Sequence, residues 1–417
     1  MTKKGSHVAA AEPTSDAWTR RRDALARSTG VRTLARPLRD GRTLPLAYTR
    51  IGERSAAPVL VLPGGPGLAS VLPYQRFRSA AARRRIDLLM IEHRGVGLSR
   101  KADDGIDIAD EDIAVDEVLA DIVAVLDAEG IDRITVYGSS YGSYLSGAFG
   151  ANHPDRVAGM VLDSAMLDAS SKRATAQELN RLYWHGTERT LDHARRIRQL
   201  AEDGKISVQD AGFPLQFLHE TGGPGLVGSV LDLIERGRSS GVWSWLQRLG
   251  ATDAVRIRPF LMEFDLVART AFTELGYGLP HDIADGPLHS DTGYAALGDD
   301  FPPFVGNPLD IRAALPSFEW PLAIISGDRD VRTPQVVAEE ATRLAPNAAL
   351  VSVASHGHSA LDTAPKIALE VIEHVIASPP SDPASPLSGL SAPQPLMARL
   401  IKARVFLAGL RPGRKRR

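Results

Sequence analysis

The segment Gly138-Ser139-Ser140-Tyr141-Gly142 follows an apolar run, "RITVY", and precedes a stretch of helical character. A G-x-S-x-G pattern in that setting makes a sharp strand-to-helix turn that presents its central residue at the apex. The apex residue is forced into a strained backbone conformation. Its neighbours two positions away must carry almost no side chain, because strand and helix come close there. The glycine pair therefore assigns the nucleophile to Ser140 and leaves Ser139 to fill the preceding position. A serine hydroxyl attacks only when a base takes its proton, and the base needs an acid to orient it. Downstream, "AIISGDRDVRTP" supplies Asp328 and Asp330 beyond an apolar run, and "VSVASHGHSA" supplies His356 and His358 around Gly357. We assign the acid to Asp330, with Asp328 a solvated loop charge and Asp163 in reserve. The base is His358, since a glycine before it lets the loop bend the imidazole toward the turn. Acyl transfer also needs two backbone N–H groups aimed at the developing oxyanion. Tyr141, directly after the nucleophile, provides one; Gly65 in "LPGGPG" provides the other, and Pro66, which cannot donate, rigidifies the turn.

Positioning these residues requires a parallel sheet. "TLPLAYTRIG" alternates as an edge strand does, and "PVLVLPGGPG", "IDLLMIEHRG", "RITVYGSS" and "RVAGMVLDS" are apolar strands separated by helical segments. Val115, Val118, Leu119, Ile122, Val123 and Leu126 form one apolar helical face. Asp110, Glu111 and Asp112 suit its positive end and Gly130 closes it. From about Ala165 to Phe318 the strand signal stops, then resumes at "WPLAIISGDRD", where Thr333 and Pro334 read as N-cap and first residue of a helix. The expected organisation is an N-terminal extension over 1–35, a core over 36–164 and 319–378, and a helical cap over 165–318. A Pro/Ser-rich linker over 379–395 and a basic amphipathic tail over 396–417 follow.

Composition narrows the chemistry. The chain has no cysteine, which removes disulfides, thiolate metal sites and a cysteine nucleophile. No metal and no organic cofactor are needed. Its net charge is −1, yet from Ser381 onward eight Lys or Arg face one acid, so the body is acidic and offers nucleic acid no electrostatic reason to bind. The N-terminal stretch lacks the apolar core of a secretory signal, so the expectation is a cytoplasmic protein. The tail interleaves Leu396, Leu400 and Leu407 with Arg399, Lys402 and Arg404, a pattern suited either to peripheral contact with anionic lipid or to a solubilising end.

Five ordered motifs resemble the serine peptidases of the prolyl aminopeptidase type, including the tripeptidyl aminopeptidase-like branch. They are Gly64-Gly65-Pro66-Gly67, "EHRGVGLS" from Glu92 to Ser99, "GSSYG", Gly327 to Asp330, and Gly357-His358. The resemblance covers about residues 40–165 and 318–378 and implies the α/β-hydrolase fold with a cap inserted before the acid-bearing strand. Two positions depart from the family pattern: Pro63 replaces a histidine before the glycine pair, and Glu92 replaces an aspartate. The family implies cleavage of N-terminal residues from short peptides, and its members hold the substrate amine with acids of the cap; Glu263, Asp265 and Glu274 are the residues so placed here. The same chemistry serves an esterase, lactonase or amidase acting on an apolar small molecule, and a ligand-binding protein without catalysis can share the scaffold.

Overall fold

A computed structural model describes residues 16–237, 240–253, 257–378, 387 and 389–410. Its strands are β1 (Val31–Pro37), β2 (Thr43–Ile51), β3 (Val59–Leu62), β4 (Leu88–Ile91), β5 (Ile134–Ser139), β6 (Val157–Asp163), β7 (Leu322–Gly327) and β8 (Ala348–Val353). They form one sheet in the order β1-β2-β4-β3-β5-β6-β7-β8. β1 and β2 are antiparallel to their neighbours, and the rest run parallel. Parallel strands covered on both faces read as continuous apolar runs, as "VLVL" and "LLMI" do. Along β3, Leu60 and Leu62 enter the core on one side of the sheet, while Val59 and Val61 enter the core on the other.

The sheet begins earlier than the core boundary expected at residue 36. β1 takes the edge, so β2 is an inner strand. Alternation with an exposed "VRTLARP" made β1 look like part of the extension. The helix Val115–Ala128 carries the expected face, with Val123 at its margin. Asp110–Asp112 form a separate short turn before it.

Arg94, in the segment after β4, is 1% exposed, and its Nε and Nη2 donate to Asp121 of that helix at 2.6 and 2.8 Å. Arg36 of β1 donates to the same carboxylate at 2.7 Å. One acid thus fastens the loop, the helix and the edge strand together.

Between β6 and β7 the described residues contain helices and no strand. This cap has its own apolar core, including Leu218, Val227, Leu231, Trp243 and Leu246. It grips the loop after β3: Glu263 N–H donates to the Gly67 carbonyl at 2.9 Å and Ala69 N–H to the Leu261 carbonyl at 3.1 Å. Part of the expected linker lies outside the described residues. Its end is pinned, since Ala354 and the Leu390–Ala392 stretch exchange backbone hydrogen bonds. The described part of the tail is a helix, Leu396–Leu410, seated on the cap helices Gly212–Glu235 and Ser240–Asp253, with Ile401, Val405 and Ala408 in the cap core.

Asp121→Asn removes the carboxylate that the buried Arg94 guanidinium meets twice and leaves it the Glu117 carboxylate, at 3.2 Å. It is expected to lower stability by about 3 kcal/mol, read as a lower urea midpoint at unchanged m-value; a shift below about 1 kcal/mol would show that the clamp carries no more than a surface pair.

Candidate active site

Ser140 lies between β5 and the helix Tyr141–Asn152, which it caps with φ 55° and ψ −118°, the strained apex expected of it. The flanking glycines are required by contact. A Cβ on Gly138 would lie 2.0 Å from the Gly142 carbonyl oxygen, and one on Gly142 would lie 2.0 Å from that of Leu62. Ser140 N–H donates to the Asp163 carbonyl at 2.9 Å, which anchors the apex to the next strand.

Ser139 does more than fill space. It is buried, and its hydroxyl donates to Ser359 Oγ at 2.8 Å, while Ser359 N–H donates to Ser164 Oγ at 2.9 Å. These serines tie the elbow and the end of β6 to the loop that carries His358.

His358 Nδ1 lies 3.0 and 3.1 Å from the two Asp330 oxygens. Thr333 donates to the same carboxylate from its N–H at 3.0 Å and its hydroxyl at 2.8 Å. The helix therefore begins one residue later than its sequence suggests, at Gln335 with Pro334 as cap, because the Thr333 hydroxyl is spent on Asp330. Burial would raise the Asp330 carboxyl, but the charge and hydrogen bond of His358, with the two hydrogen bonds from Thr333, outweigh it and hold it low. Burial would likewise depress His358, yet the Asp330 carboxylate leaves its imidazole above the ordinary histidine range. The acid and base loops meet backbone to backbone. A Cβ on Gly327 would lie 2.4 Å from the carbonyl oxygens of His356 and Gly357, and one on Gly357 would lie 2.7 Å from that of Glu220.

The competing candidates have other partners. Asp328 accepts from His356 N–H at 3.1 Å. His356 is buried, and that burial lowers its pKa. Asp163 accepts from the N–H groups of Ala360 and Leu361 at 3.0 and 2.9 Å and from the Tyr137 hydroxyl at 2.7 Å, capping the short helix after His358.

Ser140, His358, Gly64 and Gly65 line one cavity of about 290 Å³ beneath the cap. Gly65 has φ 121°, and its carbonyl accepts from the Tyr277 hydroxyl at 3.0 Å. Tyr141 opens the elbow helix, where N–H groups lack intrahelical acceptors.

Glu263, Asp265 and Glu274 are not brought into this cavity. Glu263 is buried between loops, accepting from Gly97 N–H and lying 3.7 Å from Arg100; burial pushes its carboxyl up to about 7, against the pull of Gly97 and Arg100. Asp265 pairs with Arg100 at 2.8 Å. Glu274 accepts from Val115 N–H at 2.9 Å, at the start of that helix. All three fasten the cap to the core, a use that an apolar setting in sequence does not distinguish from ligand binding. Glu92, which stands where the family pattern has an aspartate, is buried and its oxygens accept from Ser70, Val71 and Leu98 N–H at 2.6, 2.7 and 2.9 Å.

The charges that do face the cavity come from other cap and loop positions, for which the sequence carries no local signal: Lys172, Asp291, Arg332, Asp168 and Asp362. The Lys172 ammonium lies 3.7 Å over the Tyr277 ring and 3.9 Å from Asp291, whose other oxygen meets His281 Nε2 at 2.8 Å. Burial lowers the Lys172 pKa to about 8, with Asp291 opposing. Asp168 pairs with Arg312. Asp362 accepts from Tyr74 and Ser359 hydroxyls at 2.6 and 2.7 Å. Among the described residues no group of three or more His, Asp or Glu is arranged to hold a metal ion, and no helix is long and apolar enough to cross a membrane.

Residues 57–205 match the α/β hydrolase fold family. The chain is 33% identical over 166 residues to a proline iminopeptidase of Neisseria meningitidis serogroup B, covering 38% of this chain and 51% of that protein. It is 30% identical over 120 residues to a probable proline iminopeptidase of Leptolyngbya boryana, covering 29% of this chain and 35% of that protein. At best it thus spans about half the length of these curated relatives. A solved structure of proline iminopeptidase from Mycobacterium smegmatis aligns over 82% of this chain and 98% of that one, with a TM-score of 0.47 and 13% identity. Sheet order and family match agree on the architecture: the chain is built on the α/β-hydrolase fold.

Proposed function

We propose that this protein is a serine hydrolase working through an acyl-enzyme, and that its substrates are short peptides with a free N-terminus. The observation that carries the chemistry is the strained Ser140 in one cavity with a His358 held by Asp330. In this reading Ser140 attacks a carbonyl carbon as His358 takes its proton. Asp330 orients the imidazole and stabilises its charge. The N–H groups of Tyr141 and Gly65 receive the oxyanion. His358 then protonates the leaving group, and water, deprotonated by the same imidazole, releases the acyl group. The relatives named as proline iminopeptidases support the peptide reading. With Glu263, Asp265 and Glu274 engaged elsewhere, the acid meeting the substrate amine is Asp291, beside the aromatic face on which Lys172 already rests an ammonium.

Lys172 favours a second reading. Its ammonium makes no hydrogen bond within the described residues and lines the cavity, so it is suited to a carboxylate on the substrate of an esterase or amidase. A panel of aminoacyl arylamides with free and blocked amines, against esters with and without a carboxylate, separates the two. On the peptide reading, Asp291→Asn raises KM for free-amine substrates about tenfold or more and spares neutral esters. If blocking the amine leaves cleavage unchanged while Lys172→Met selectively weakens carboxylate-bearing esters, the second reading stands.

A fluorophosphonate is expected to label the protein and Ser139→Ala, but not Ser140→Ala; the reverse pattern would put the turn in the wrong register. Because the base must be neutral and Asp330 raises the His358 pKa, kcat/KM is expected to fall on acidification, with a midpoint above the ordinary histidine value of about 6.5. A midpoint below that value in a pH–rate profile would contradict the Asp330–His358 assignment.

A further inference from the structure

We infer that the outward face of the helix Leu396–Leu410 docks the protein on an anionic phospholipid membrane. This helix is apolar on two opposite sides. On one side Ala398, Ile401, Val405 and Ala408 recur at spacings of three and four: Ala398 is buried, and the other three pack on the cap core. Leu396, Leu400, Ala403 and Leu407, at the complementary spacings, face outward. Ten large apolar side chains are exposed among the described residues, and five of them belong to this helix: Leu396, Met397, Leu400, Phe406 and Leu407. The other five are scattered along the chain, as single surface apolar residues ordinarily are. A helix that needed only to cover the cap would not carry the second stripe.

Charge selects the occupant. Arg399, Lys402 and Arg404 flank the outward stripe, with Arg404 also lying 4.6 Å over the Trp245 ring. Arg411, Arg414, Lys415, Arg416 and Arg417 follow in sequence, and no acid occurs after Asp382. Leucine and phenylalanine between cations match a surface with an apolar interior and anionic headgroups. A second copy of the chain would bring the same cations face to face, and a nucleic acid would leave the leucines without a partner. The rest of the chain is acidic and is repelled by such a surface, so attraction and repulsion together orient the cap toward it.

The test uses the full chain, sedimented with vesicles of phosphatidylcholine alone or with phosphatidylglycerol added. Binding to the anionic vesicles is expected to be at least about tenfold stronger and to weaken as salt is raised. Leu400→Ser with Leu407→Ser, and separately Arg399→Gln with Lys402→Gln, are expected to remove most of it. Both leave fluorophosphonate labelling unchanged, which shows that the variants remain folded. Absence of binding, equal binding to both vesicle types, or wild-type binding by the leucine variant would overturn the inference. So would a dimer in solution that the leucine substitutions dissolve, which would assign the face to a second copy.

Discussion

The backbone of Ser140 sits where an L residue is strained, and the structure around it is arranged to keep it there. A strain of this kind persists only when its surroundings over-determine it. Here strand and helix meet so tightly that Gly138 and Gly142 have no room for a methyl group. The apex N–H is tied to β6, and the hydroxyl of Ser139 reaches across to the loop of His358. The acid and base loops repeat the device at Gly327 and Gly357, where backbone lies against backbone. Three strand ends are thereby held in register with little side-chain bulk between them.

Much of this was legible in the sequence because glycine spacing and strand periodicity are local signals. The sharp turn at Ser140, the strand ends that carry Asp330 and His358, and the parallel strands are all visible there. β1 was not, since an exposed edge strand with alternating Arg and apolar residues resembles a polar extension. Thr333 was misread as a helix cap because the competing demand comes from a carboxylate already fixed by His358. The cap was the least legible region. Glu263, buried, and Asp265 and Glu274, half-buried, sit in an apolar context because they act as fasteners, and burial for support looks the same in one dimension as burial for binding. Lys172 and Asp291 meet only through tertiary packing, so no spacing announces them.

The cavity is consequently a composite. The wall that holds Ser140 and His358 belongs to the strand ends of the sheet, while the charged wall is drawn from the cap at Asp168, Lys172 and Asp291 and from the loops at Arg332 and Asp362. Fold and reaction type can be argued from the first, but substrate choice depends on the second.

A hydrogen bond from Tyr277 of the cap to the Gly65 carbonyl joins these two walls. With Glu263 and Leu261 also bonded to the backbone of the loop after β3, its course past Ser140 is set jointly by sheet and cap. A substitution that shifts the cap is therefore felt in the backbone beside Ser140 as well as in the charges across the cavity.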